Sequence, residues 1–146
     1  MKSYISIAVI ALLGLGANAD HYPKWEARCR DKISKTEKSF FRFYQQASDG
    51  DADAGSTIFE SFNKGLEAWT DFEYRVVESC DVQDGEGFTL GKFQSDGDGK
   101  SMVRRFVQDE ICIESGDLDG MSIALVCPGN DYVRCCELNI KEPVFE

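Results

Sequence analysis

The stretch "SDGDADAGSTIFE" (48–60) carries the side chains of this chain that are best suited to chemistry. Asp49, Asp51 and Asp53 stand at alternating positions, and Glu60 follows seven residues after the last of them. Carboxylate oxygens grouped in this way are the ligands that a hard cation such as Ca²⁺ prefers. These four residues are therefore a candidate calcium site, and the sequence otherwise predicts no cofactor.

The same stretch resembles the loop of a calcium-binding helix–loop–helix over twelve residues. Its four carboxylates take the first, third, fifth and twelfth positions of that loop. Ala54 stands where the loop has its turn-making glycine, and the glycine comes one place later, at Gly55. The alternative is an acidic connection between two helices, in which Asp53 or Ser56 caps the second helix.

The elements on either side of this stretch are predicted to be helices. Apolar side chains recur at steps of three and four from Trp25 to Ala47, and again from Phe59 to Cys80. That period is typical of an amphipathic helix. We therefore expect an N-terminal antiparallel helix pair joined by the acidic stretch.

The second half of the chain has the pattern of strands. Short segments rich in β-branched and aromatic residues alternate with turns of glycine and aspartate. The segments are 87–93, 101–108, 110–115, 121–127 and 131–140. The expected fold class is α+β, with the helix pair packed on a C-terminal antiparallel β-sheet of four to five strands and three disulfides.

The first 19 residues predict export. Lys2 precedes the apolar run "YISIAVIALLGLG", and "ANA" follows it with small residues suited to cleavage. We expect a signal peptide over 1–19 and a single secreted, extracellular disulfide-bonded domain over 20–146. The formal net charge of −10 argues against nucleic acid as a partner, and the short apolar run argues against membrane insertion.

Six cysteines in an exported chain predict three disulfides. A two-residue turn at 119–120 would place Cys112 opposite Cys127 in a hairpin, which predicts a bond between them. Adjacent residues of a strand face opposite ways, so Cys135 and Cys136 should have different partners. Two pairings then stay open, with Cys29 and Cys80 joined one to each of them.

The function predicted from these features is binding. Size, acidity and cysteine content suit an effector-like or toxin-like protein that contacts an extracellular protein or receptor. Arg104 and Arg105 lie in a basic island of an acidic chain and are the candidate partner contacts. One alternative is a calcium-responsive granule or matrix protein that uses the 49–60 loop. Another is a carboxylate-dependent secreted hydrolase, although no acidic pair stands in a recognisable frame and the single histidine, His21, lies near the expected mature terminus.

Overall fold

The chain folds into nine β-strands in two antiparallel sheets. A computed structural model describes residues 22–81, 87–127, 129 and 131–145, so the expected signal peptide lies outside the described residues. The strands are β1 Lys24–Lys32, β2 Lys38–Gln46, β3 Thr57–Lys64, β4 Asp71–Val77, β5 Phe88–Gln94, β6 Ser101–Gln108, β7 Ser122–Cys127, β8 Asp131–Glu137 and β9 Asn139–Lys141. One sheet has the order β6-β3-β2-β1-β9 and the other the order β5-β4-β7-β8.

The predicted α+β class is wrong, because the described residues contain no helix. The helical period arose from aromatic side chains on both faces of β2. Phe41 and Phe43 are fully buried, while Phe40 and Tyr44 lie half-buried on the outer face. An apolar residue on each side of the strand produces steps of three and four that imitate an amphipathic helix.

In β3 the inward face is partly polar, which hid the period of two. Ser61 and Asn63 point inward and are buried, whereas Phe62 faces outward and is exposed. The strands expected at 87–93, 101–108, 121–127 and 131–140 are present, but they are divided between the two sheets. The strand expected at 110–115 is absent, because those residues form turns and irregular backbone.

Aromatic side chains fill the space between the sheets. Tyr74 of β4 packs edge-on against Phe41 and Phe59 of the other sheet, with ring centroids 6.2 and 4.9 Å apart. Phe93 stacks on Tyr74 at 5.1 Å. The Tyr74 hydroxyl lies within hydrogen-bonding distance of the Ser61 hydroxyl and accepts a bond from the Asn63 amide, so the polar inward face of β3 has partners in this core.

Two disulfides are present, and the prediction of three is wrong. Cys29 of β1 is joined to Cys136 of β8, which links the two sheets, and Cys80 is joined to Cys135. This is one of the two pairings that the sequence left open. Cys112 and Cys127 are free and partly exposed. The hairpin expected to pair them does not form, because β7 lies between β4 and β8.

A spanning helix is not found in the part of the chain that the structure describes, since none of its elements is a long apolar helix.

Candidate functional site

The acidic stretch 49–60 is divided between a loop and a strand. Asp49, Asp51 and Asp53 are exposed in the connection between β2 and β3, where Asp49 and Ala52 form an isolated bridge. Glu60 lies inside β3, and its carboxylate accepts a hydrogen bond of 3.0 Å from Arg42. Among the described residues no group of three His, Cys, Asp or Glu side chains is arranged to hold a metal ion. Calcium binding by this stretch stays a prediction.

Arg42 forms the centre of a charged cluster on the outer face of the five-stranded sheet. Its guanidinium donates to Glu26 at 2.7 Å and to Glu60 at 3.0 Å, and it lies 4.5 Å from the centroid of the Tyr44 ring. Burial opposes the charged form of Arg42, but the hydrogen bonds and charges of the two glutamates outweigh it and raise the pKa of the guanidinium. Arg42 is paired with both carboxylates at once, so this cluster is a structural ion-pair network.

The two candidate partner contacts lie in β6. Arg104 pairs with Ser61 and Arg105 with Glu60 in the backbone register. Their side chains lie outside what the structure describes, so a contact role for either stays a prediction.

The free thiol Cys112 borders a shallow cleft of about 380 Å³ next to the acidic loop. A hydrogen bond with Ser115 above all, together with one from Gln45, lowers the pKa of the Cys112 thiol against the opposing effect of burial. Within the described residues no histidine or other base is hydrogen-bonded to the Cys112 thiol, although the Asp117 carboxylate accepts a bond of 2.8 Å from the Cys112 backbone N–H.

Three loops meet at one end of the sandwich and form what we call the three-loop surface: residues 33–37, 65–70 and 95–100. Leu66 N–H donates to the Gly99 carbonyl at 2.8 Å, and Ser95 N–H donates to the Thr70 carbonyl at 2.9 Å. Gly65 packs so closely on the first loop that an added Cβ would lie 2.3 Å from the Thr36 carbonyl oxygen. The loops thus hold one another in a defined arrangement.

Trp69 is the most exposed large apolar side chain of this surface. It is 68% exposed, and its backbone has a φ of 53°, the one positive value among the described non-glycine residues. Its N–H donates to the Asp96 carbonyl at 3.3 Å, and its indole lies against Gly97, where an added Cβ would be 2.9 Å from the ring. The loops therefore hold the ring in place while leaving it open to solvent. Ile33, in the first loop, is 58% exposed.

Lysines border the three-loop surface on the outer face of the five-stranded sheet. Lys38 pairs with Lys32 on one side and with Lys64 on the other, so three like charges lie side by side on adjacent strands. We call these residues the lysine row. Among the described residues no carboxylate lies within 4.0 Å of the three ammonium groups.

The next row of the same face is cationic and aromatic. Arg30 pairs with Phe40, and Phe40 pairs with Phe62. The Arg30 guanidinium lies 5.9 Å from the centroid of the Phe40 ring. These residues, together with Lys32, Lys38 and Ser39, line a cleft of about 340 Å³.

The described part of the outer face of this sheet is positively charged although the chain is acidic. The alternation of β1, β2, β3 and β9 places eight of the 16 Lys and Arg residues on it, against two carboxylates, Glu26 and Glu60, in the described strands. The eight are Lys24, Arg28, Arg30, Lys32, Lys38, Arg42, Lys64 and Lys141. The described part of the face thus carries a formal charge of +8 − 2 = +6.

The sequence interpretation missed both Trp69 and the lysine row. Trp69 was assigned to a helical stripe, so it was expected to be buried. Reading "ARCRDK" with a period of two would have shown Arg28, Arg30 and Lys32 on one face of a strand. The row itself had no signal in the linear sequence, because it depends on the register of three strands.

Comparison of the chain with protein-family models, with curated proteins and with solved structures finds no match.

Proposed function

We propose that this is a secreted binding protein that contacts an extracellular protein or receptor through the three-loop surface. Its two disulfides are compatible with an exported chain, since such bonds persist in oxidising compartments. Binding residues of sandwich folds are often carried on loops that a rigid scaffold positions. The three-loop surface combines exposed apolar side chains with loops that are fastened to one another.

The observation that carries the proposal is the conformation of Trp69. The exposed Trp69 side chain contributes little to the stability of the fold, yet the left-handed backbone conformation of this residue lowers that stability by roughly 1–2 kcal/mol. Burying the exposed part of a tryptophan on a partner would release roughly 3 kcal/mol at 25 cal/mol per Å². Tryptophan is also enriched among the residues that dominate interface energies. A strained backbone that presents such a ring suits a partner contact.

The test compares binding and stability in Trp69→Gly. Glycine adopts a positive φ without strain, so we expect the free energy of unfolding to stay equal or to rise by up to about 1 kcal/mol. Capture of partners from the extracellular fluid of the source organism should weaken by about 30-fold or more, the effect of a loss of about 2 kcal/mol. Quantitative mass spectrometry on the immobilised proteins measures the captured amounts.

Val107→Ser is the matched control. Val107 is 63% exposed on the edge strand β6, where it pairs with Ile58 at the end of the sheet away from the three-loop surface. We expect this variant to keep the partners of the wild type. Equal capture by Trp69→Gly and wild type would refute the proposal. A loss of more than about 2 kcal/mol of stability in Trp69→Gly would make the residue a structural one.

A further inference from the structure

The lysine row is an arrangement that folding alone disfavours. Directly opposed side chains of neighbouring strands have Cβ atoms about 4.5–5.5 Å apart, and like charges at that distance repel. Lys38 stands in this relation to Lys32 and to Lys64 at once. Arg42, on the same face, shows the contrasting case, because two glutamates neutralise it.

The composition of the chain makes the missing carboxylates informative. The sequence has 26 Asp and Glu residues, and none of those described lies within ion-pairing distance of the row. A solvated charged face would ordinarily interleave the two signs. Three uncompensated cations therefore indicate that the compensating charge comes from a ligand.

The surroundings of the row say what else the ligand carries. Phe62 is 36% exposed, and Phe40 lies half-buried beside it, so the cleft next to the lysines offers an apolar floor. Arg28, Arg30 and Lys32 follow one another at alternate positions of β1, a repeat of about 6.6 Å. An extended peptide presents every second side chain with the same repeat, so a segment that lies along the strands can place one side chain on the lysine row and the next but one on Phe40 and Phe62.

The net charge of the protein limits the length of the anion. At −10 overall, the chain repels a long polyanion such as nucleic acid or a sulfated polysaccharide wherever it extends beyond the +6 face. A short acidic segment stays on the face, and screening over about 8 Å at physiological ionic strength shields it from the acidic loops. The balance of charges favours the short segment.

We infer that the lysine row binds a short, extended acidic segment of a protein that lies along the strands, with a carboxylate on Lys32, Lys38 and Lys64 and, two residues away in the segment, an apolar side chain on Phe40 and Phe62. This inference rests on the proposed function in one respect, since it names the chemistry of the partner that contacts the adjoining three-loop surface.

The probe is a short synthetic peptide labelled with fluorescein, in which glutamate and phenylalanine stand two residues apart with serine between them, so that both side chains face the same way. Fluorescence anisotropy against the full chain should show saturable binding that weakens as NaCl is raised. A peptide with glutamine in place of glutamate should not bind. Lys38→Glu, at the centre of the row, should weaken binding of the acidic peptide by about tenfold or more.

Lys24→Glu is the matched control. Lys24 lies on the same face, is half-buried like Lys38, and stands at the opposite end of β1 beside Gln46. Its distance from the row is about 26 Å along the strand, well beyond the screening length, so binding should stay within about twofold of wild type.

Three results would overturn the inference. They are the absence of peptide binding to wild type, equal binding by Lys38→Glu, and tighter binding of single-stranded oligothymidylate or heparin than of the peptide. Trp69→Gly separates this inference from the proposed function, because it should bind the peptide within about twofold of wild type. If the peptide test fails while Trp69→Gly still loses its captured partners, only the chemistry assigned to the lysine row is wrong.

Discussion

Reversing the charge of Lys38 should make the protein more stable. In the wild type Lys38 faces Lys32 and Lys64, which repel it from both sides. Glutamate at this position replaces the two repulsive pairs with two attractive ones. Lys38 is half-buried, so its charge is screened less than that of a fully exposed lysine.

The expected gain follows from the energies of cross-strand pairs. An opposed pair of opposite charges contributes about 0.2–1 kcal/mol, and a like pair is destabilising. Two such changes give a rise in the free energy of unfolding of roughly 0.5–2 kcal/mol. For a domain of this size 1 kcal/mol corresponds to a Tm increase of about 4 °C.

Urea denaturation of wild type, Lys38→Glu and Lys38→Gln measures the effect. The glutamine variant removes the repulsion without adding attraction, so it should gain about half as much. In 1 M NaCl the screening length falls to about 3 Å, and the differences should shrink. The argument that Lys32 and Lys64 repel Lys38 would be refuted if Lys38→Glu is less stable than wild type. It would also be refuted if salt does not reduce the gain in stability of this variant. Stabilisation together with loss of peptide binding would indicate that the row is kept for binding.

Other features of the structure give further expected outcomes. Hydrogen bonds from a backbone N–H, a serine hydroxyl and an indole lower the pKa of Glu114 below its usual value of 4.5. The unfolded chain therefore binds the proton more tightly, so this stabilisation is complete above pH 4.5 and is lost as pH falls through the lower folded pKa. Glu114→Gln should be less stable than wild type at pH 7 and equal to it in strong acid, as thermal unfolding across pH will show; a difference independent of pH would contradict the assignment. Gly99→Ala should lose about 2 kcal/mol or more, because Gly99 has a φ of 73° and an added Cβ would lie 2.0 Å from the Leu66 carbonyl oxygen. If urea denaturation gives Gly99→Ala a free energy of unfolding within about 0.5 kcal/mol of wild type, the loop 95–100 does not have the conformation described here. Alkylation of the denatured, unreduced protein should label Cys112 and Cys127. A peptide map that shows Cys112 joined to Cys127 would contradict this expectation and support the third disulfide predicted from the sequence.

The amino-acid sequence by itself determined several features of this protein. Adjacent residues of a strand point to opposite faces, so the predicted strand at 131–140 required different partners for Cys135 and Cys136, which they have. The β-branched and aromatic residues of 101–108, with turn residues before them, identified β6 with its bounds. These features depend on a few neighbouring residues, so local rules were sufficient.

Only the tertiary structure decided the first half of the chain and the candidate site. Phe40 and Phe41 are both aromatic, so the sequence does not show which of them faces the core. Phe41 does so because the second sheet covers its side of β2. The lysine row depends on the register of three strands, and the exposure of Trp69 depends on loops that approach from β3 and β5. Pairing between distant segments sets these positions, and a pattern along the chain contains no record of which segments pair.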